Sequence, residues 1–342
     1  MFWLAAAFLG IVIPMACTNT GSYFNPTSPS TPVVVSATAT NAFGFTSTPT
    51  FTIQPTSTIT NTPVVTPMTG ASLLCSPNAP NGLAVAGGDI YVAGGDGTLS
   101  VYTTSGAAVT HFNNYGVTLF SSLSGVALDS TGKLYVLDSG GSDTSTGTVY
   151  EFDSTTSPFT AVTAWNNYNS APFISPQGIA VDSNKNVYVA DTGHNVVDEF
   201  APGGAATALI GYSGGGGNGH FDNPTGIATN GSGSSVTVFV ADMDDELIQE
   251  FVSGSFVGQF STQQESLDPG VLGIAADSGG DLFAADYDNG FVDDYNSTSS
   301  PVTLKARWAP ASNPFGPTGV AYNGTKLYVA DYDNKAVYSV NP

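Results

Sequence analysis

The sequence predicts an all-β fold, a β-propeller, and three observations carry the prediction. A glycine-led motif returns six times: "GLAV" at Gly82, "GVALD" at Gly125, "GIAVD" at Gly178, "GIATN" at Gly226, "GIAAD" at Gly273 and "GVAYN" at Gly319, 43 to 53 residues apart. Periods of this size belong to propeller blades or to paired-helix repeats. The residues downstream of each glycine decide between them, since short apolar runs separated by Gly, Asn, Asp and Ser form strands and hairpin turns. The third observation is that both faces of these strands are apolar. In "NVYVAD" Val187 and Val189 point to one side and Tyr188 and Ala190 to the other, as in a sheet sandwiched between two neighbours.

The third copy shows the elements of one unit in order. "GIAVD" is the first strand and "SNK" a turn; "NVYVAD" is the second strand, "TGHN" a second turn and "VVDEF" the third strand. The looser run "ATALIGY" is the fourth. Each unit is therefore a four-stranded antiparallel meander, one blade. A total of 40 glycines and an aromatic share of 11% agree with an all-β composition.

The repeats resemble NHL repeats. "SPQGIAVDSNKNVYVADTGHNVVDEF" carries the resemblance most fully, and "FDNPTGIATN" keeps its lead-in. The resemblance runs from Pro80 to the C-terminus and implies a six-bladed β-propeller; the family's activities are diverse, spanning scaffolds, RNA binders, sensors and a few lyases.

Before the repeats, Met1 to Gly88 contains no Asp, Glu, Lys or Arg. Residues 1–17, "MFWLAAAFLGIVIPMAC", form an apolar run too short for a comfortable membrane span, which fits an export signal. Its end resembles a bacterial lipoprotein signal, implying lipidation at Cys17. Plain secretion is the other reading, and either places the rest of the chain outside the cytoplasm, secreted or lipid-anchored at the cell envelope. Residues 18–70, rich in Thr, Ser and Pro, read as a disordered tether, and 71–342 as the propeller. If Cys17 carries lipid, Cys75 is a lone buried thiol; otherwise a disulfide between the two is open to it.

The sixth copy ends after three strands, so a segment within Pro63–Cys75 is expected to supply the fourth strand of the last blade and close the ring. Two series of acids recur. Asp129, Asp182 and Asp277, with Asn230 and Asn323, end the first strands and precede turns, where their side chains fix the backbone. Asp138, Asp191, Asp242, Asp286 and Asp331 end the second strands, so their turns emerge on one face.

On that face Asp242, Asp244, Asp245, Asp286, Asp288, Asp331 and Asp333 are the candidate cation ligands, in turns whose alternating acids suit calcium. His194, His220, Tyr287 and Tyr332 are the candidate ligand-contacting residues. His194 matches Asp245, Asn289 and Asn334 in its sister blades, which makes it a variable turn position and sets aside a reactive pair with Asp191.

With 27 acidic against six basic residues the formal charge is −21, which repels phosphate backbones and excludes nucleic acid as a partner. No nucleophile elbow or phosphate loop appears. The sequence thus favours a monomeric, membrane-tethered, non-catalytic binding or scaffold module for a protein, peptide or glycan. The alternative is a metal-assisted propeller lyase or lactonase.

Overall fold

The computed structural model describes residues 71–141, 146–213, 217–262, 270–310 and 314–342, and the short strands Val34–Ser36, Ala39–Thr40, Thr46–Ser47, Thr50–Thr52 and Val65–Pro67. The chain divides into two units, Met1–Thr56 and Ser57–Pro342. In the first, Val34–Ser36 pairs antiparallel with Thr50–Thr52, and Ala39–Thr40 with Thr46–Ser47. The expected signal segment and Cys17 lie outside the described residues, as does most of the expected tether.

The second unit is a ring of six four-stranded antiparallel blades. In blade three Ile179–Val181, Val187–Asp191, Val196–Ala201 and Ala205–Ile210 are successive neighbours in the sheet. The two apolar faces of its second strand go where their alternation predicts. Val187 and Val189 pack with Leu137, Val149 and Phe173 toward blade two, while Tyr188 and Ala190 join Ile227, Val238 and Val240 of blade four. The cores lie between blades, so each blade contributes both faces to burial.

The motif glycines line the ring where the innermost strands converge. A Cβ on Gly82, Gly226, Gly273 or Gly319 would stand 2.5–2.9 Å from backbone atoms of the next blade, and Gly178 is tighter still against the Thr225 carbonyl. Backbone cannot yield as a flexible side chain does, so the residue without a side chain is required there. Gly273→Ala is expected to cost about 2–3 kcal/mol by overpacking, read as a lower melting temperature.

In four of the six blades the residue before the glycine ties its blade to the next. Asn81 donates to the Leu123 carbonyl (2.9 Å), Ser124 to Pro176 (2.9 Å) and Thr225 to Val271 (2.7 Å). Thr318 donates to Pro80 (2.7 Å), joining the last blade to the first. Between blades three and four Thr192 does this by donating to Pro224 (2.8 Å), which leaves Gln177 exposed at the channel. Leu272 fills the slot in blade five and has no polar group to offer.

The outer edge closes as expected. Ser72–Cys75 pairs antiparallel with Ala336–Val340, setting Cys75 opposite Val337 and Leu73 opposite Tyr338, and it completes blade six. Cys75 is buried among Leu83, Ile90 and Val337, and burial pushes its thiol up to about 12. Val65–Pro67 lies parallel to the outer strand of blade five, opposite Arg307–Ala309.

Candidate active site

Each first-strand acid folds back on its own turn. Asp129 accepts the amides of Thr131 and Lys133, Asp182 those of Asn184 and Asn186, Asp277 those of Gly279 and Asp281, and Asn323 those of Thr325 and Lys326. These are the backbone-fixing turns the sequence predicts.

The second-strand acids do more than hold their turns: they clasp the segment that leads into their own blade. Asp138 accepts the amides of Ser121 and Ser122, Asp191 that of Ile174, Asp242 that of Asp222 and Asp331 that of Gly316. All four are buried, as is Asp286, which accepts from Asn289. Their sequence signal is recurrence, and their job is to close the blade's face.

That work uses up the acids expected to bind calcium. Asp242, Asp286 and Asp331 point inward to amide donors, while Asp244, Asp288 and Asp333 stay at the exposed turn. Asp244 accepts from Asn223, and the charge of Asp333 acts on the Tyr287 phenol, which burial first and then that charge push upward. Asp245 lies half-buried in the same turn. Among the described residues no three His, Cys, Asp or Glu side chains gather to hold a metal ion. The strand-end acids are committed to backbone amides before any cation arrives, so the donor set does not fit calcium.

At the mouth of the channel, on the face of these turns, is a cavity of about 280 Å³. Ser122, Ser124, Ser139, Ser175 and Gln177 give it hydroxyl and amide groups, and none of its lining residues is charged. Beside it is the turn of blade three. Gly193 donates to the Ile174 carbonyl (2.9 Å), which docks that turn on the segment carrying Ser175 and Gln177.

The turn brings together the pair that the sequence set aside. His194 Nδ1 is 2.7 Å from Asp191 Oδ2 in a single 3₁₀ turn, Thr192–His194, which ends at Asn195 in the left-handed region (φ 57°). Asp191 is 3% exposed and His194 38%, so a buried carboxylate backs an imidazole open to solvent. In blades five and six the same position holds Asn289 and Asn334, whose amides donate to Asp286 (3.0 Å) and Asp331 (2.7 Å). Blade four holds Asp245 there, so the slot carries an amide donor in blades five and six, a second carboxylate in blade four and an imidazole in blade three.

The remaining candidates are dispersed. His220 stacks on Tyr212 (5.7 Å between centroids) in the passage from blade three to blade four, and its backbone carbonyl accepts from Gln249. Tyr287 is half-buried, and Tyr332 is exposed at the turn of blade six.

Burial raises Asp242 to about 7 and Asp286 to about 6, and raises Asp198, on the third strand of blade three, to about 7. An unfolded aspartate titrates near ~4, so between that pH and 7 the folded chain binds more protons than the unfolded one. Stability therefore falls as pH rises through this window and is level above it. The −21 charge acts in the same direction through self-repulsion. The melting temperature is expected to be several degrees higher at pH 5 than at pH 8, checked by thermal melts across that range.

The family model of the NHL repeat matches residues 173–197. That span includes the lead-in, the first two strands and the Asp191–His194 turn of blade three. Among curated proteins none matches the sequence. Of solved structures, a gluconolactonase from Xanthomonas campestris is similar at 15% identity, covering 79% of this chain and 89% of its own, with a TM-score of 0.59. A streptogramin B lyase is similar at 11% identity over 79% and 97%, TM-score 0.55. A catalytically inactive histidine-to-alanine variant of virginiamycin B lyase from Staphylococcus aureus, with quinupristin, is similar at 11% over 90% and 88%, TM-score 0.54.

At such identities the likeness shows the fold. The structures it reaches are propeller enzymes, and this corrects the expectation of a non-catalytic binding or scaffold module.

Proposed function

We propose that the chain is a propeller enzyme of the lyase or lactonase kind, acting on a neutral or cationic substrate seated at the channel mouth. The observation that carries this is the His194–Asp191 pair, on the face of the cavity, where the aligned positions of blades four, five and six hold Asp245, Asn289 and Asn334 in place of the histidine. With Nδ1 held against a carboxylate, the imidazole keeps its hydrogen on that side and presents the Nε2 lone pair outward, the form a general base requires. In a lactonase this nitrogen takes the proton of the attacking water; in a lyase it takes a proton beside the bond that breaks.

The uncharged cavity offers the Ser122 hydroxyl and the Gln177 amide as donors to a substrate carbonyl, and the acidic turns around it disfavour anions. No step is assigned to a metal. The test is a panel of neutral and cationic lactones and cyclic esters, monitored by proton release at constant pH. Turnover that saturates with substrate supports the proposal, and none across the panel removes it.

We also propose that residues 1–17 direct export, that Cys17 carries the lipid anchor, and that the propeller works outside the cytoplasm. The residues "MFWLAAAFLGIVIPMAC" support this. Mass spectrometry of the mature N-terminus, expected to show a lipid-bearing Cys17, tests it.

A further inference from the structure

In blades three to six the third strand repeats a slot seven residues after the strand-end aspartate, and its occupants differ. In blade four it is Gln249, whose Nε2 donates to Asp242 Oδ2 (2.7 Å). In blade five it is Asp293, which grips Arg307 (2.6 Å to Nε and to Nη2) and accepts from Tyr295. In blade three it is Asp198, 1% exposed, with neither an amide nor a cation to answer it. Both its carboxylate oxygens are buried without a hydrogen-bond partner.

An ionised carboxylate buried in this way bears a large desolvation penalty, and that penalty is removed when the group takes up a proton. The register shows what lies around it. Asp198 is opposite Val189 on one side and Leu209 on the other. It therefore shares the sheet face of Val187 and Val189, which pack on Leu137, Val149 and Phe173 of the neighbouring elements. The same face of blade two also carries Tyr135 and Glu151. Glu199, next in the chain, faces the opposite way. The titratable groups that act on Asp198 are Asp191, which disfavours its charge, and His194, which favours it.

We propose that Asp198 is a positioning residue for the Asp191–His194 pair: as a neutral carboxylic acid it donates its proton to Asp191, taking the place that the Gln249 amide takes in blade four. The Asp191 carboxylate is then fixed from three directions, by the Ile174 amide (2.8 Å), by His194 (2.7 Å) and by the Asp198 hydroxyl. A hydrogen bond from Asp198 withdraws charge from Asp191 and so weakens the hold of that carboxylate on the His194 ring. Once Asp198 ionises, two carboxylates face one imidazole, which holds its proton more tightly. Only the consequence for turnover rests on the enzyme reading above; the protonation itself does not.

The experiment is carbon-detected NMR of the Asp198 carboxyl, assigned by its loss in Asp198→Asn, with the His194 ring monitored over the same pH series. The Asp198 carboxyl is expected to stay protonated where exposed aspartates have ionised, and to titrate near neutrality. Asp198→Asn, which keeps a donor, is expected to leave the proton affinity of His194 close to wild type, whereas Asp198→Ala raises it about tenfold. An Asp198 carboxyl that titrates with the exposed aspartates overturns the proposal, as does an equal response of His194 to both variants. Should Asp198→Ala fail to fold, the wild-type carboxyl titration still decides. Neither readout uses turnover, so an inactive protein leaves this result intact.

Discussion

Removing Met1–Ser76 is expected to lower the melting temperature by roughly 10 °C or more, because it takes away the fourth strand of blade six. The segment Ser72–Cys75 pairs with Ala336–Val340, and its loss leaves that strand as a bare edge. Leu74 and Cys75 also leave a core they share with Leu83, Ile90 and Val337. A few ladder hydrogen bonds at about 1 kcal/mol each and two apolar side chains at about 1–2 kcal/mol each come to about 5 kcal/mol. For a domain of this size each kcal/mol moves the midpoint by roughly 2–4 °C. The Thr318 bond to Pro80 survives the deletion, so the inner ring stays joined while its outer seam opens. A truncated protein that melts with the full chain means that the seam carries no load.

A larger effect on activity is expected from a single exchange, His194→Asn. Asparagine is what blades five and six place in this slot, where it donates to the strand-end aspartate as His194 does. The exchange therefore preserves the clasp, and the melting temperature is expected to move by no more than a few degrees. What it removes is proton transfer at neutral pH, since an amide neither accepts nor releases a proton there. General acid–base catalysis contributes about 10²–10⁴-fold, so turnover is expected to drop by at least about a hundredfold. Substrate affinity, set by the neutral groups of the cavity, is expected to change little. This variant separates chemistry from folding more cleanly than alanine, which would also leave Asp191 short of a donor.

Blade number, strand order and the position of the closing strand were all legible in the sequence, because the repeat states them six times. The strand-end aspartates were legible for the same reason, and their role as turn and lead-in clasps agrees with their recurrence. The calcium reading drew on the alternating acids of "DYDN" and "DMDDE". Alternation in a loop suggests a ligand cage, but the first acid of each turn is buried and spends its oxygens on amides. The Asp191–His194 pair was set aside because its neighbours in other blades are not histidine. The signal that recovers it is chemical: Asn289 and Asn334 donate to their strand-end aspartates, so a histidine at the same position can do likewise.

The blade-to-blade bonds of Asn81, Ser124, Thr225 and Thr318 were hidden for a different reason. Each crosses to a residue more than forty positions away, and only the ring brings them together. Asp198 was hidden because its isolation is a matter of what lies across the strand. Carrying the repeat alignment into the third strand, to Gln249 and Asp293, exposes the slot.

The most direct measurement is the pH profile of kcat for the wild type and His194→Asn on one neutral lactone or cyclic ester. The account predicts that wild-type kcat rises as a single basic group loses its proton, and that the variant, equally folded, is at least about a hundredfold slower and has lost that dependence. Equal turnover by the two proteins with the same pH profile would contradict it.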